Sequence, residues 1–354
     1  MAHIILFVVL ILNLSHSMCH ATPSNATKFP AALIFGDSTV DSGNNDYTST
    51  LFKANHSPYG MNFPGGQPTG RFSDGMLVPD FLASFLGLKE SIPPFLDPQL
   101  SDEDVKTGVN FASAGSGFDD LTTAISGAIP MSKQIEMFKS YIDRLKNVVG
   151  EQAATGIVNN ALIVISAGSN DFIFNFYDLP TRSSVYNISG YQDFLLEKIR
   201  DIVKQIYDLG GRKIAIAGLS PIGCTPIQMT AKFSYVFDLM CVEEENSDVV
   251  AYNTKLAGLV SQVQASLAGS KVVYADLYTP FSDMFKNPQN YGFEETKRGC
   301  CGTGRVEMGP LCTALTPLCF DPSKFIFFDA IHPTQAVYKS LAKYMIDNVL
   351  DKLL

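Results

Sequence analysis

The stretch Ala31-Ala32-Leu33-Ile34-Phe35-Gly36-Asp37-Ser38 runs through five apolar residues and then breaks at Gly36 into a polar turn that carries a serine. A short apolar run closed by glycine reads as a buried strand. The carboxyl end of such a strand is where an open parallel sheet presents side chains to a ligand. The plainer reading is that Asp37 and Ser38 cap a following helix, a common duty of both residue types.

Working outward, similar apolar runs occur at residues 31–35, 109–112, 162–165, 213–217, 272–275 and 325–328, and segments of helical period lie between them. This alternation predicts parallel β-α-β units, hence an α/β fold. In one such segment Ser189 is the expected cap, Leu195, Ile199, Ile202, Ile206 and Leu209 form a core stripe, and Gly210-Gly211 is the stop. A last helix is expected to start at Pro333 and run to the C terminus. Residues 286–324, rich in Gly, Pro and Cys, read as a long irregular segment tied by disulfides or built for function. No linker or charge block divides residues 22–354, which are expected to form one domain.

Residues 1–21 stand apart, because 4–14 are almost unbroken Ile, Leu, Phe and Val and small or polar residues follow. That is the pattern of a signal peptide, too short to span a bilayer, with cleavage after Cys19 or Ala21. No membrane segment is expected after its removal. Six cysteines then remain, Cys224, Cys241, Cys300, Cys301, Cys312 and Cys319. An even set on a secretory route implies up to three disulfides of undetermined pairing, and adjacent Cys300 and Cys301 with no nearby His argue against zinc. Asn25, Asn55 and Asn187 each head a glycosylation triplet. The net charge of −9, with no Lys/Arg run, argues against nucleic acid or an anionic membrane as partner. Oligomeric state has no signature here.

Without residues 1–21 the histidines are reduced to His56 and His332. A serine hydroxyl needs an imidazole to take its proton and a carboxylate to orient that imidazole. Only His332 has an acid a few residues away, Asp329, and His56 reads as a solvated loop residue. Ser38, Gly115, Gly168-Ser169-Asn170-Asp171 and Asp329-Ala330-Ile331-His332 all follow strand candidates. Each alone is an ordinary turn or cap. Together they suggest a nucleophile, an amide and a base at strand ends of one sheet. There is no Gly-x-Ser-x-Gly elbow.

The segment Phe35-Gly-Asp-Ser-Thr-Val-Asp-Ser-Gly-Asn-Asn45 closely resembles the first signature of the plant GDSL esterase/lipase family, within the SGNH hydrolases. Gly108-Val-Asn-Phe-Ala-Ser-Ala-Gly115, Gly168-Ser-Asn-Asp171 and Asp329-Ala-Ile-His-Pro333 resemble its later signatures, in order. Thr39 stands where the name-giving motif has Leu. The resemblance implies a three-layer α/β/α sandwich, flavodoxin-like, with a mostly parallel sheet. It also implies Ser38 as nucleophile, His332 as base, Asp329 as orienting acid, and an oxyanion hole from the N–H groups of Ser38 and Gly115 with the Asn170 amide. The expected activity is hydrolysis of lipid or other small acyl esters without metal or cofactor. Its rivals are acyl transfer on the same serine and a catalytically silent binding protein. Residue types set no choice among long-chain lipid, polyester, acetylated polysaccharide and small esters.

Overall fold

A computed structural model describes residues 29–233 and 239–354. The leader 1–21 and Asn25 therefore lie outside the described residues. Four strands, β1 (Ala32–Gly36), β2 (Leu162–Ser166), β3 (Lys213–Ala217) and β4 (Lys271–Ala275), form one parallel sheet in that order. Three of them are apolar runs covered on both faces, the condition under which parallel strands lose the alternation of half-exposed ones. Leu33, Phe35, Ile163, Ile165, Ile214 and Ile216 pack on one face, against helices Met131–Val149, Ile188–Asp208 and Glu243–Ser266. Ala32, Ile34, Leu162, Val164 and Ala215 pack on the other, against Val78–Phe85, Tyr278–Lys286 and Gln335–Asn348. Three layers result, and each fully buried Leu, Ile or Phe in them contributes about 1.5–3 kcal/mol.

The register pairs Gly36 with Ser166 and Ala217 with Ala275, so the strands finish level and their following turns share one edge. Two expected strands differ from this sheet. Residues 109–112 form no full strand. They touch β1 through a parallel bridge between Ile34 and Asn110 and through Ile34 N–H to Val109 O and Phe111 N–H to Ile34 O. The ladder is cut short because Gly36 N–H, the next β1 donor toward this segment, donates to Gln134 Oε1 and not to the Phe111 carbonyl. The segment still occupies the outer edge of β1, and counting it gives the flavodoxin-like order. The last strand, β6 (Phe325–Phe327), leaves the main sheet and pairs in parallel with β5 (Glu295–Gly299). Asp329 and His332 therefore follow a strand of a second, two-stranded sheet.

Three boundaries also differ. Asn187, not Ser189, caps the helix Ile188–Asp208, its Oδ1 accepting from Gly190 N–H at 2.8 Å. The last helix begins at Gln335, after Thr334, and ends at Asn348 before a short 3-10 turn. The span 286–324 is irregular except for β5 and short 3-10 turns, and Cys300–Cys319 and Cys301–Cys312 tie it down. With Cys224–Cys241 these complete three disulfides. Among the described residues no helix is long and apolar enough to cross a membrane.

Candidate active site

Ser38 owes its position to the way β1 ends. Gly36 takes a φ of 147°, and a Cβ there would lie 1.9 Å from the Ser166 carbonyl oxygen, so only glycine lets the chain turn this close under β2. Gln134 holds the turn, its Oε1 accepting from Gly36 N–H and its Nε2 donating to Gly36 O, both at 2.9 Å. Asp37 O then accepts from Val40 and Asp41 N–H, a tight turn that carries Ser38 at its tip. The Asp37 carboxylate accepts from the Thr39 N–H and hydroxyl. Burial pushes Asp37 up to about 6, against the pull of those Thr39 bonds and of nearby His332.

The loop after β6 supplies the partners. Asp329 Oδ1 accepts from the backbone N–H groups of Ile331 and His332, which fixes the carboxyl group. Its Oδ2 lies 2.7 Å from His332 Nδ1. A carboxylate offers only lone pairs, so Nδ1 carries the proton and Nε2 is left as an acceptor. Nε2 lies 2.8 Å from Ser38 Oγ. Phe72 covers the imidazole, with ring centroids 4.7 Å apart. Ser38, His332 and Asp329 are all buried, Asp329 completely.

One further partner has no mark in the sequence. Tyr59 O–H donates to Asp329 Oδ2 at 2.6 Å and accepts from Gly309 N–H at 2.7 Å. Burial, then the Asp329 charge, keep its phenol well above the ordinary value, so it stays a proton donor. His56 stands apart, bonding the carbonyls of Ser57 and Lys53 and packing edge-on against Tyr59.

Gly115 is placed by polar residues of the opening signature. Asp41 accepts from the N–H groups of Gly43, Asn44 and Ala114. Asn44 Nδ2 donates to the carbonyls of Asn110 and Ala112, and Asn45 Nδ2 donates to that of Ala114. The first motif is thus bolted to the second, immediately before Gly115. Gly115 itself has φ 85°, and a Cβ there would press on Ser126 at 3.1 Å. Asp171 does the same work from β2, accepting from Phe118 N–H, Asp119 N–H and the Thr122 hydroxyl. Asn170, its neighbour, donates through Nδ2 to Ser116 O at 2.8 Å.

Ser38, Gly115, Asn170 and His332 line one cleft of about 220 Å³. Its other walls are apolar, among them Phe52, Phe72, Phe174 and Ile331, with Met308, Pro310 and Leu311 contributed by the disulfide-tied segment. Asn55 and Asn187 are exposed at the surface. Among the described residues no cluster of three or more His, Cys, Asp or Glu is arranged to hold a metal ion.

A family model described as GDSL-like Lipase/Acylhydrolase matches residues 33–345. The chain belongs to the GDSL-like lipase/acylhydrolase family. GDSL esterase/lipase At2g31540 of Arabidopsis thaliana is 53% identical over 340 residues, 95% of this chain and 93% of that protein. GDSL esterase/lipase At1g06990, also of Arabidopsis thaliana, is 45% identical over 356 residues, 99% of each chain. Membership places this GDSL protein among the carboxylic ester hydrolases.

Proposed function

We propose that the protein is a secreted serine esterase or lipase that cleaves acyl esters through an acyl-enzyme on Ser38. The observation that carries this reading is the bonded series Ser38 Oγ, His332 Nε2, His332 Nδ1, Asp329 Oδ2, with links of 2.8 and 2.7 Å, set at the edge of an apolar cleft. His332 takes the hydroxyl proton as Ser38 Oγ bonds to the ester carbon, and returns it to the departing alcohol. Asp329 holds the imidazole in register and stabilises its charge. Negative charge gathers on the carbonyl oxygen, where the N–H groups of Ser38 and Gly115 and the Asn170 amide act as donors. Asn170 has a hydrogen to give, because Nδ2 carries two and Ser116 O takes one. Water then releases the acid by the reverse sequence. These steps need neither a metal nor an organic cofactor.

The cleft's lining and exposed Leu51 and Leu311 at its walls favour an apolar acyl chain. Secretion is supported by the apolar leader 1–21 and by three disulfides, which persist in oxidising compartments. Asn55 and Asn187 are accessible to glycosylation. Asn187 caps its helix through Oδ1, which leaves Nδ2 for a glycan. Asn25 stays a candidate on its triplet alone. We read residues 22–354 as one catalytic domain, in keeping with the family match over 33–345. The test is steady-state hydrolysis of aryl esters of graded acyl length by the wild type and Asn170→Ala. Removal of one oxyanion donor should lower kcat by about 10²–10³. An unchanged kcat in Asn170→Ala contradicts the assignment.

A further inference from the structure

Ser38, Asn170, Ile331 and His332 form a wall common to two spaces. One is the apolar cleft. The other, about 40 Å³, shares none of the cleft's remaining residues and is bordered by Thr39, Ser169, Ser220 and Thr225 among apolar walls that include Ile222, Phe281 and Phe327. It continues into a third space of about 60 Å³, since Asp37, Thr39, Ser169, Ser220, Phe281 and Pro333 line both. Tyr338 lines this third space, is 2% exposed, and its hydroxyl has no hydrogen-bond partner among the described residues. A buried hydroxyl left unsatisfied costs about 1–3 kcal/mol. A polar cavity of more than about 10–15 Å³ accommodates a water that removes that cost. Thr39, Ser166, Ser169 and Ser220 are only half-buried, so the two spaces beside the nucleophile carry hydroxyl-bearing residues that solvent reaches.

We propose that this passage, with hydroxyls set among apolar walls, delivers the water that hydrolyses the acyl-enzyme, and thereby makes the protein a hydrolase in preference to an acyltransferase. The proposal rests on the acyl-enzyme reading above. In the step concerned, the water oxygen bonds to the acyl carbon while His332 Nε2 takes one of its protons. The bond from that carbon to Ser38 Oγ then breaks, and His332 returns the proton to Oγ, leaving a carboxylic acid. Spaces of this size hold a few waters, and the cleft, at about 220 Å³, is the roomier route for a sugar or a glycerol. In the cleft such acceptors compete with the acyl chain.

Ser220 contributes to the passage and to none of the bonds that hold Ser38, His332 or Asn170. Ser220→Leu fills the passage at its middle. Acylation and deacylation of Ser38 are followed separately, by rapid quenching and intact-protein mass, with an aryl ester in the presence and absence of butanol. Ser220→Leu should acylate at the wild-type rate and deacylate more slowly by on the order of tenfold, the rate equivalent of losing one well-ordered water site. The ratio of butyl ester to free acid should rise by a similar factor. Wild-type deacylation and an unchanged product ratio in Ser220→Leu overturn the passage while leaving the acyl-enzyme intact. Absence of any Ser38 adduct in the wild type overturns both. Tyr338→Phe gives a second reading through stability. A hydrated hydroxyl predicts no gain in Tm on its removal, and a clear rise in Tm shows a dry cavity and contradicts the proposal.

Discussion

Tyr59 stands 270 positions from Asp329 and 250 from Gly309, yet it bonds to both. It therefore ties the Asp329 carboxylate to the segment that walls the cleft. Tyr59→Phe keeps the ring packing against Phe72 and Phe328 and removes only these two bonds. We expect kcat to fall by about tenfold with KM little changed, because Asp329 Oδ2 loses a donor that fixes it against His332. Equal kcat in wild type and variant contradicts this role. His332 and Asp329 could be nominated from residue types alone, since residues 22–354 hold two histidines and only one has a neighbouring acid, whereas Ser38 by itself read as a helix cap until the resemblance marked it as the nucleophile. Tyr59 could not, being one of 14 tyrosines with no spacing that links it to Asp329. The resemblance nominated Gly115 and Asn170. Why another residue at 115 is strained emerges from its positive φ and the press of Ser126.

Among the elements, β1 to β3 were legible because burial on both faces demands continuous apolar residues. The strand β5 was not, since Glu-Thr-Lys-Arg-Gly is polar and only partly buried and is held by pairing with β6 and by the Cys300 and Cys301 bridges beside it. The separation of β6 from the main sheet was equally hidden, because sheet membership is a long-range contact that a local apolar run does not encode. A buried ion pair, closer in sequence, fixes neighbouring loops. Arg71 makes a two-pronged ion pair with Asp80, at 2.8 Å for each prong, and its side chain is 4% exposed. It also donates to the carbonyls of Ser42 and Ile92. Arg71→Leu leaves Asp80 buried without its counter-charge and should cost about 3–5 kcal/mol in denaturant unfolding. A loss below 1 kcal/mol, the scale of an exposed pair, contradicts that view of the interior.

Across the molecule, several carboxyl groups are buried beyond the reach of solvent. Burial raises Asp41 and Asp171 from 3.8 to about 7, against the backbone and side-chain donors that favour their charged forms. Asp37 rises to about 6 and Glu245 to about 7, again through burial first. A folded value above the unfolded one means that the native chain binds more protons between the two, so this stability is present at acid pH and lost as pH rises through about 6–7. Glu307 acts in the opposite direction. Burial pushes it up, but hydrogen bonds led by that from Thr303 N–H bring it to about 2, so its contribution is lost only as pH falls below 4.5 toward 2. The balance predicts a Tm that declines from about pH 5 to pH 7 and levels off above it. Calorimetry at constant ionic strength checks this, and a Tm that climbs through the same range contradicts it.

The acyl-enzyme on Ser38 is the claim on which the others depend, and active-site labelling tests it most directly. A fluorophosphonate probe followed by peptide mass spectrometry should place a single adduct on Ser38 in the wild type and none on Ser38→Ala, while His332→Ala retains the serine but labels far more slowly. An adduct that survives Ser38→Ala, or that falls on another residue in the wild type, contradicts the account.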